Sequence, residues 1–95
     1  MNPKTNKYGD KFWYDSDSLY HRDDGPAIEW AHGSKEWYKH GKCHREDGPA
    51  VELSSGYKAY WLEDIIYSEE EYWEKIKELK KCQLFKLKDN KIGWI

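Results

Sequence analysis

The sequence predicts a mainly β protein in one domain: an antiparallel β-hairpin repeat meander followed by one C-terminal α-helix and a final short hairpin. Three observations predict it. A 23-residue unit occurs twice, since His21-Arg22-Asp23-Asp24-Gly25-Pro26-Ala27-Ile28-Glu29 returns as His44-Arg45-Glu46-Asp47-Gly48-Pro49-Ala50-Val51-Glu52. Within each unit, short runs of β-branched and aromatic residues alternate with Gly-bearing turn signals. From Ser68 onward the apolar residues take up helical spacing instead. A fixed period of about 20 to 50 residues marks stacked supersecondary units, none of which buries its apolar face alone.

In chain order, residues 1–7 are polar, carry Pro3 and read as a loose terminus. Residues 9–20 form a truncated capping repeat: Gly9-Asp10-Lys11-Phe12-Trp13-Tyr14 echoes Gly33-Ser34-Lys35-Glu36-Trp37-Tyr38, and an aspartate-serine turn over Asp15 to Ser18 follows. Residues 21–43 and 44–67 are the complete units. In them Ala27 to Trp30 and Ala50 to Leu53 read as outgoing strands, and Ser34 to Lys39 and Tyr57 to Leu62 as return strands. His32-Gly33 and Ser55-Gly56 are the tight turns between them. His40-Gly41 and Glu63-Asp64 turn the chain into further short strands at Lys42 to His44 and Ile65 to Tyr67. Asp-Gly-Pro is a turn signal, because Gly relieves the backbone and Pro cannot donate to an interior ladder.

A helix is predicted over residues 68–82. Ser68 and Glu71 fit a capping box, the acids of the first turn suit the positive end of the dipole, and Lys80 and Lys81 suit the other end. Tyr72, Trp73, Ile76, Leu79 and Cys82 form one apolar stripe, with Glu71 to Lys75 and Glu78 to Lys81 as supporting surface pairs. In residues 83–95, Leu84 to Lys88, a turn at Asp89-Asn90 and Ile92 to Ile95 suggest the last hairpin.

Composition narrows the functional classes. The 95 residues are 36% charged and 38% hydrophobic with six Trp and eight Tyr, which points to a folded domain with an aromatic core and excludes a disordered polyelectrolyte. A chain of this size buries only about 60 to 65% of its unfolded surface, so a large enzymatic cleft is not expected. The formal charge of −2 gathers into no basic stripe, so direct nucleic-acid binding is not expected. No signal-peptide core and no apolar run of about 20 residues is seen, so the expected location is cytoplasmic, with no membrane partner. Cys43 and Cys82 are expected as free thiols.

The motifs that resemble chemistry read as structure. His21-Arg22-Asp23 looks like a kinase catalytic loop, but the rest of that signature is absent, and a residue set repeated in each unit is more simply explained by building the unit. Arg22 and Arg45 are expected to bond nearby turn carboxylates or carbonyls. His40, Cys43, His44 and His32 lack the paired spacing of a structural zinc site, and Cys43 corresponds to the apolar Ile66. No metal, cofactor or catalytic residue is therefore assigned, and no enzyme is expected.

A two-residue turn at His32-Gly33 would pair Trp30 with Lys35, Glu29 with Glu36, Ile28 with Trp37 and Ala27 with Tyr38. One face then carries Trp13, Ile28, Trp30, Trp37, Val51, Leu53, Tyr60, Leu62 and Ile65 as a core. The other carries Phe12, Tyr14, Glu29, Glu36, Tyr38, Glu52, Trp61 and Ile66 around small alanines. Aromatics flanked by carboxylates suit a binding surface, so Tyr14, Glu29, Glu36, Tyr38, Glu52 and Trp61 are the candidate partner-binding residues. The Glu29–Glu36 juxtaposition suits a partner with a basic surface.

The tandem H-R-x-D-G-P-A-[IV]-E units followed by G-x-K-x-W-Y resemble MORN-type hairpin repeats over residues 9–67, in the divergent form of YwqK-type antitoxins and of many small bacteriophage proteins. That resemblance implies a protein-interaction or lipid-interaction surface. The expectation is a phage-encoded inhibitor that binds a host protein, for instance a CRISPR component. A sponge for a nucleotide immune signal and an antitoxin are the alternatives, and homo-oligomerisation stays open.

Overall fold

The structure, a computed structural model, describes the backbone of residues 2–92 and the side chains of residues 2–80. It is mainly an antiparallel meander with one C-terminal helix. The strands are β1 (Lys4–Thr5), β2 (Lys11–Phe12), β3 (Ile28–Glu29), β4 (Lys35–Glu36), β5 (Tyr38–Lys39), β6 (Lys42–Cys43), β7 (Val51–Glu52), β8 (Lys58–Leu62) and β9 (Ile65–Tyr67), and α1 spans Glu69–Ile92. Seven strands form one sheet in the order β1-β2-β3-β4-β7-β8-β9, with β5 and β6 a separate hairpin. The expected loose terminus is thus corrected, since β1 pairs with β2. Asn6 makes that hairpin tight: its Oδ1 accepts from Tyr8 N at 2.9 Å and Asp10 N at 3.1 Å.

Each complete unit has two kinds of turn. The first is a three-residue loop, Ala31-His32-Gly33 in one unit and Ser54-Ser55-Gly56 in the next, closed by Trp30 N to Ser34 O and Leu53 N to Tyr57 O. Gly33 at φ 110° and Gly56 at φ 101° take the left-handed position that such loops require. The second is a two-residue turn with positive φ at both centres, His40 (48°) with Gly41 (84°) and Glu63 (50°) with Asp64 (69°). Only this second turn has the two-residue form expected of both.

The extra residue in the first loop shifts the register by one from the expected pairing. Ile28 lies opposite Glu36 and Glu29 opposite Lys35. A one-residue slip moves side chains to the other face. One row across the sheet is therefore Phe12, Ile28, Glu36, Val51 and Ala59. The next is a charge ladder of alternating sign, Lys11, Glu29, Lys35, Glu52 and Lys58. The expected repulsion between Glu29 and Glu36 does not exist.

The repeated motif is the fastening of the stack. His21 Nδ1 accepts from His40 N at 3.0 Å, and His44 Nδ1 accepts from Glu63 N at 3.0 Å, so each histidine holds the two-residue turn of its own unit. The Arg22 guanidinium lies 3.8 Å over the Trp13 ring, and that of Arg45 lies 3.8 Å over Trp37, so each arginine caps the tryptophan of the preceding hairpin. Arg22 also donates to Asp24 Oδ1 at 3.0 Å, Pro26 O at 3.2 Å and Glu29 Oε2 at 3.0 Å. Arg45 repeats the set with Asp47 at 2.8 Å, Pro49 O at 2.9 Å and Glu52 at 3.1 Å. The structural role expected of both arginines is what the structure contains.

The glycine of this motif needs a corrected reason. Neither Gly25 nor Gly48 has positive φ, but a Cβ at Gly48 would meet Arg45 Cζ at 3.1 Å, and one at Gly25 would meet Arg22 Cζ at 3.0 Å. Glycine lets the guanidinium pass. Gly48→Ala is accordingly expected to cost roughly 1 to 3 kcal/mol, the range of overpacked sites. A thermal melt unchanged from wild type would show that the arginine yields freely.

The helix ends the repeats by substituting for a third unit. Ser68 and Glu71 form the expected capping box, with Glu71 N to Ser68 Oγ and Ser68 N to Glu71 Oε1 both at 3.2 Å. That use of the Glu71 carboxylate leaves Lys75 to approach Glu78 instead, at 3.9 Å. Tyr72 and Ile76 pack with Leu62 into the buried cluster, flanked by Tyr60 and Tyr67. Trp73 and Leu79 stay more than a third exposed. The expected last hairpin is corrected over Leu84 to Asn90, which continue α1, while residues 93–95 lie outside the described residues. Apart from Phe85 and Asp89-Asn90 this stretch consists of good helix formers with no Gly or Pro before Gly93, so one weak turn signal does not stop the helix.

Candidate binding surface

The helix covers the face that bears Tyr60 and Leu62. The opposite face of the sheet remains uncovered among the described residues, and its aromatics run together. Phe12 meets Trp30 edge-on at 5.7 Å and Tyr20 at 6.2 Å, Tyr20 lies 5.1 Å from Tyr14, and Tyr38 lies 5.4 Å from Tyr20. These are spacings at which rings attract beyond their area burial. All five rings are partly exposed.

Glu36 sits in this surface and is held by it. Its Oε2 accepts from Trp30 Nε1 at 2.8 Å and its Oε1 from Tyr38 OH at 2.9 Å. Burial, then the bond to Glu36, raises the Tyr38 phenol pKa, and burial with neighbouring Tyr14 raises that of Tyr20. Both phenols therefore stay neutral donors across the physiological range. Lys4 Nζ lies 5.4 Å over the Tyr14 ring, so the surface already accommodates one cation. Cys43 is buried and free, and burial pushes its thiol up to about 12, which makes it a packing residue rather than a nucleophile.

The six expected partner-binding residues divide between the faces. Tyr14, Glu36 and Tyr38 are joined through Tyr20 and Trp30. Trp61 shares their face by strand alternation, since Ala59 lies in the Glu36 row. Its indole Nε1 is buried without a partner among the described residues. Glu29 and Glu52 belong to the other face, where Arg22 and Arg45 hold them. Tyr20 and Trp30 are the residues that sequence reasoning missed. Tyr20 occupies the repeat position of Cys43 and Ile66, a signal the period carried, whereas Trp30 was displaced by the register.

The four residues weighed as metal ligands do not converge. Each ring nitrogen of His44 is used, Nδ1 by Glu63 N and Nε2 by Glu46 at 2.8 Å, and His32 Nε2 bonds Ser34 Oγ at 2.8 Å. A different trio does approach: Asp15, His21 and His40 place one ligand atom each within 4.8 Å. His21 Nδ1 accepts the His40 N–H, which assigns a proton to Nε2, facing Asp23 at 3.1 Å. Neither of its nitrogens has a lone pair free for an ion in this arrangement.

The fold and this surface define a β-hairpin repeat module, and no helix among the described residues is long and apolar enough to cross a membrane. Comparison with family models, curated proteins and solved structures returned no match for the chain.

Proposed function

We propose that this chain is a non-enzymatic binding protein that engages a protein partner through the uncovered aromatic face. The observation that carries the reading is the run of Phe12, Tyr14, Tyr20, Trp30 and Tyr38 around the Glu36 carboxylate, on the side of the sheet away from α1. Tyrosine and tryptophan anchors dominate binding energy at interfaces, and rings beside a carboxylate suit a partner patch rich in Lys or Arg. With the resemblance of the repeats to those of small phage proteins, the concrete form is a virus-encoded inhibitor that blocks a host defence protein. The nucleotide-sponge alternative would take phosphate on Arg22, Arg45 or lysines, and the guanidinium groups of Arg22 and Arg45 are both stacked and salt-bridged, which leaves that task to lysines.

The test pairs capture from host lysate with a surface variant. Tyr14→Ala combined with Trp30→Ala is expected to retain a cooperative melt and to bind the captured protein at least about tenfold more weakly, the loss of one interface hot spot. Wild-type association should also slow as salt rises. If the variant captures the same protein with unchanged affinity, the functional face lies elsewhere. A melting shift with a nucleotide panel would favour the sponge instead.

A further inference from the structure

The two units differ at one place that the repeat makes comparable. In the second unit the Tyr72 hydroxyl enters the H-R-x-D-G-P turn, donating to Arg45 O and accepting from Gly48 N at 3.2 Å. Tyr72 is fully buried there, against Tyr60, Leu62 and Tyr67. In the first unit the corresponding groups are Arg22 O and Gly25 N, and among the described residues they have no protein partner. Arg22 and Gly25 line a groove of about 510 Å³ on the arginine face, together with Trp37, Lys39 and His44, the repeat counterparts of Tyr60, Leu62 and Tyr67.

We propose that this groove is a docking site for a tyrosine side chain of a partner, with its phenol bound between Gly25 N–H and Arg22 C=O as that of Tyr72 is bound in the second unit. The chain itself displays the occupant and its hydrogen bonds. Two differences define what surrounds the tyrosine. Arg45 already caps Trp37, so the ring enters beside the tryptophan, along the aliphatic stem of Lys39, and the second turn leaves room for an inserted side chain rather than a helix. The rim carries Asp23, Asp24, Glu46 and Asp47, all exposed, which outnumber Arg22, Lys39 and Arg45 and favour a tyrosine flanked by Lys or Arg. This site lies on the opposite face from the aromatic surface, and the two stand or fall separately.

The experiment titrates the isotope-labelled full chain with the peptide acetyl-Lys-Tyr-Lys-amide and follows the backbone amides by NMR. The Gly25 amide should shift saturably while that of Gly48, already occupied by Tyr72, stays in place. The Phe analogue should bind about tenfold more weakly, since one lost pair of hydrogen bonds is worth roughly that factor. Lys39→Leu, which gives the groove the residue found in the occupied site, should tighten binding severalfold for the uncharged probe N-acetyltyrosinamide. A stationary Gly25 amide, equal binding of the Phe analogue, or weaker binding to Lys39→Leu would each overturn the proposal.

Discussion

Tyr72→Ala is expected to unfold most of the protein at ambient temperature. Removing a buried aromatic to alanine costs about 3 to 5 kcal/mol, and a small domain has little more than that in total. Tyr72 is the largest fully buried side chain among the described residues and joins three things at once: Tyr60 at 4.9 Å, the Leu62–Ile76 cluster, and the turn at Arg45 to Gly48. Tyr72→Phe isolates the last contribution. It keeps the ring but leaves Gly48 N–H and Arg45 C=O unpaired, and should cost about 1 to 3 kcal/mol. Chemical denaturation followed by tryptophan fluorescence measures both. A cooperative Tyr72→Ala domain with near-normal midpoint would show that α1 is an appendage and that the sheet stands without it.

Arg45→Met is expected to lower stability by about 2 to 4 kcal/mol, which in a domain of this size moves the melting midpoint by about 10 to 25 °C. Methionine keeps much of the stem's apolar contact, so the loss reports on the guanidinium. That group stacks on Trp37 and donates to Asp47, Pro49 and Glu52, and without it the Glu52 carboxylate and the Pro49 carbonyl lose their donor. Arg45→Lys should recover only part of the loss, because an ammonium cannot lie flat on an indole while donating in three directions. A midpoint for Arg45→Met within a degree or two of wild type would mean that the repeated arginine serves something other than the stack.

The same residues separate what could be read from the chain and what could not. The 23-residue period, the truncated first unit, the antiparallel meander, the Ser68–Glu71 cap and the structural role of Arg22 and Arg45 are local or repeated, so each is written in spacing and residue type. A repeated arginine beside Asp-Gly-Pro meets the same carbonyl and carboxylate each time because the chain geometry around it is the same.

Register was not legible, because His32-Gly33 fits a two-residue turn as well as the end of a three-residue loop. Choosing between them depends on how Trp30 N and Ser34 O meet across the hairpin. That single residue decided that Glu29 joins Arg22 on one face while Glu36 joins Tyr38 and Trp30 on the other, and so which half of the predicted surface is a surface. The stacking of each arginine on the tryptophan of the preceding hairpin, and the helix reaching back to the second turn through Tyr72, join residues of different structural units. Contacts between such residues are set by tertiary packing, and no local pattern records them.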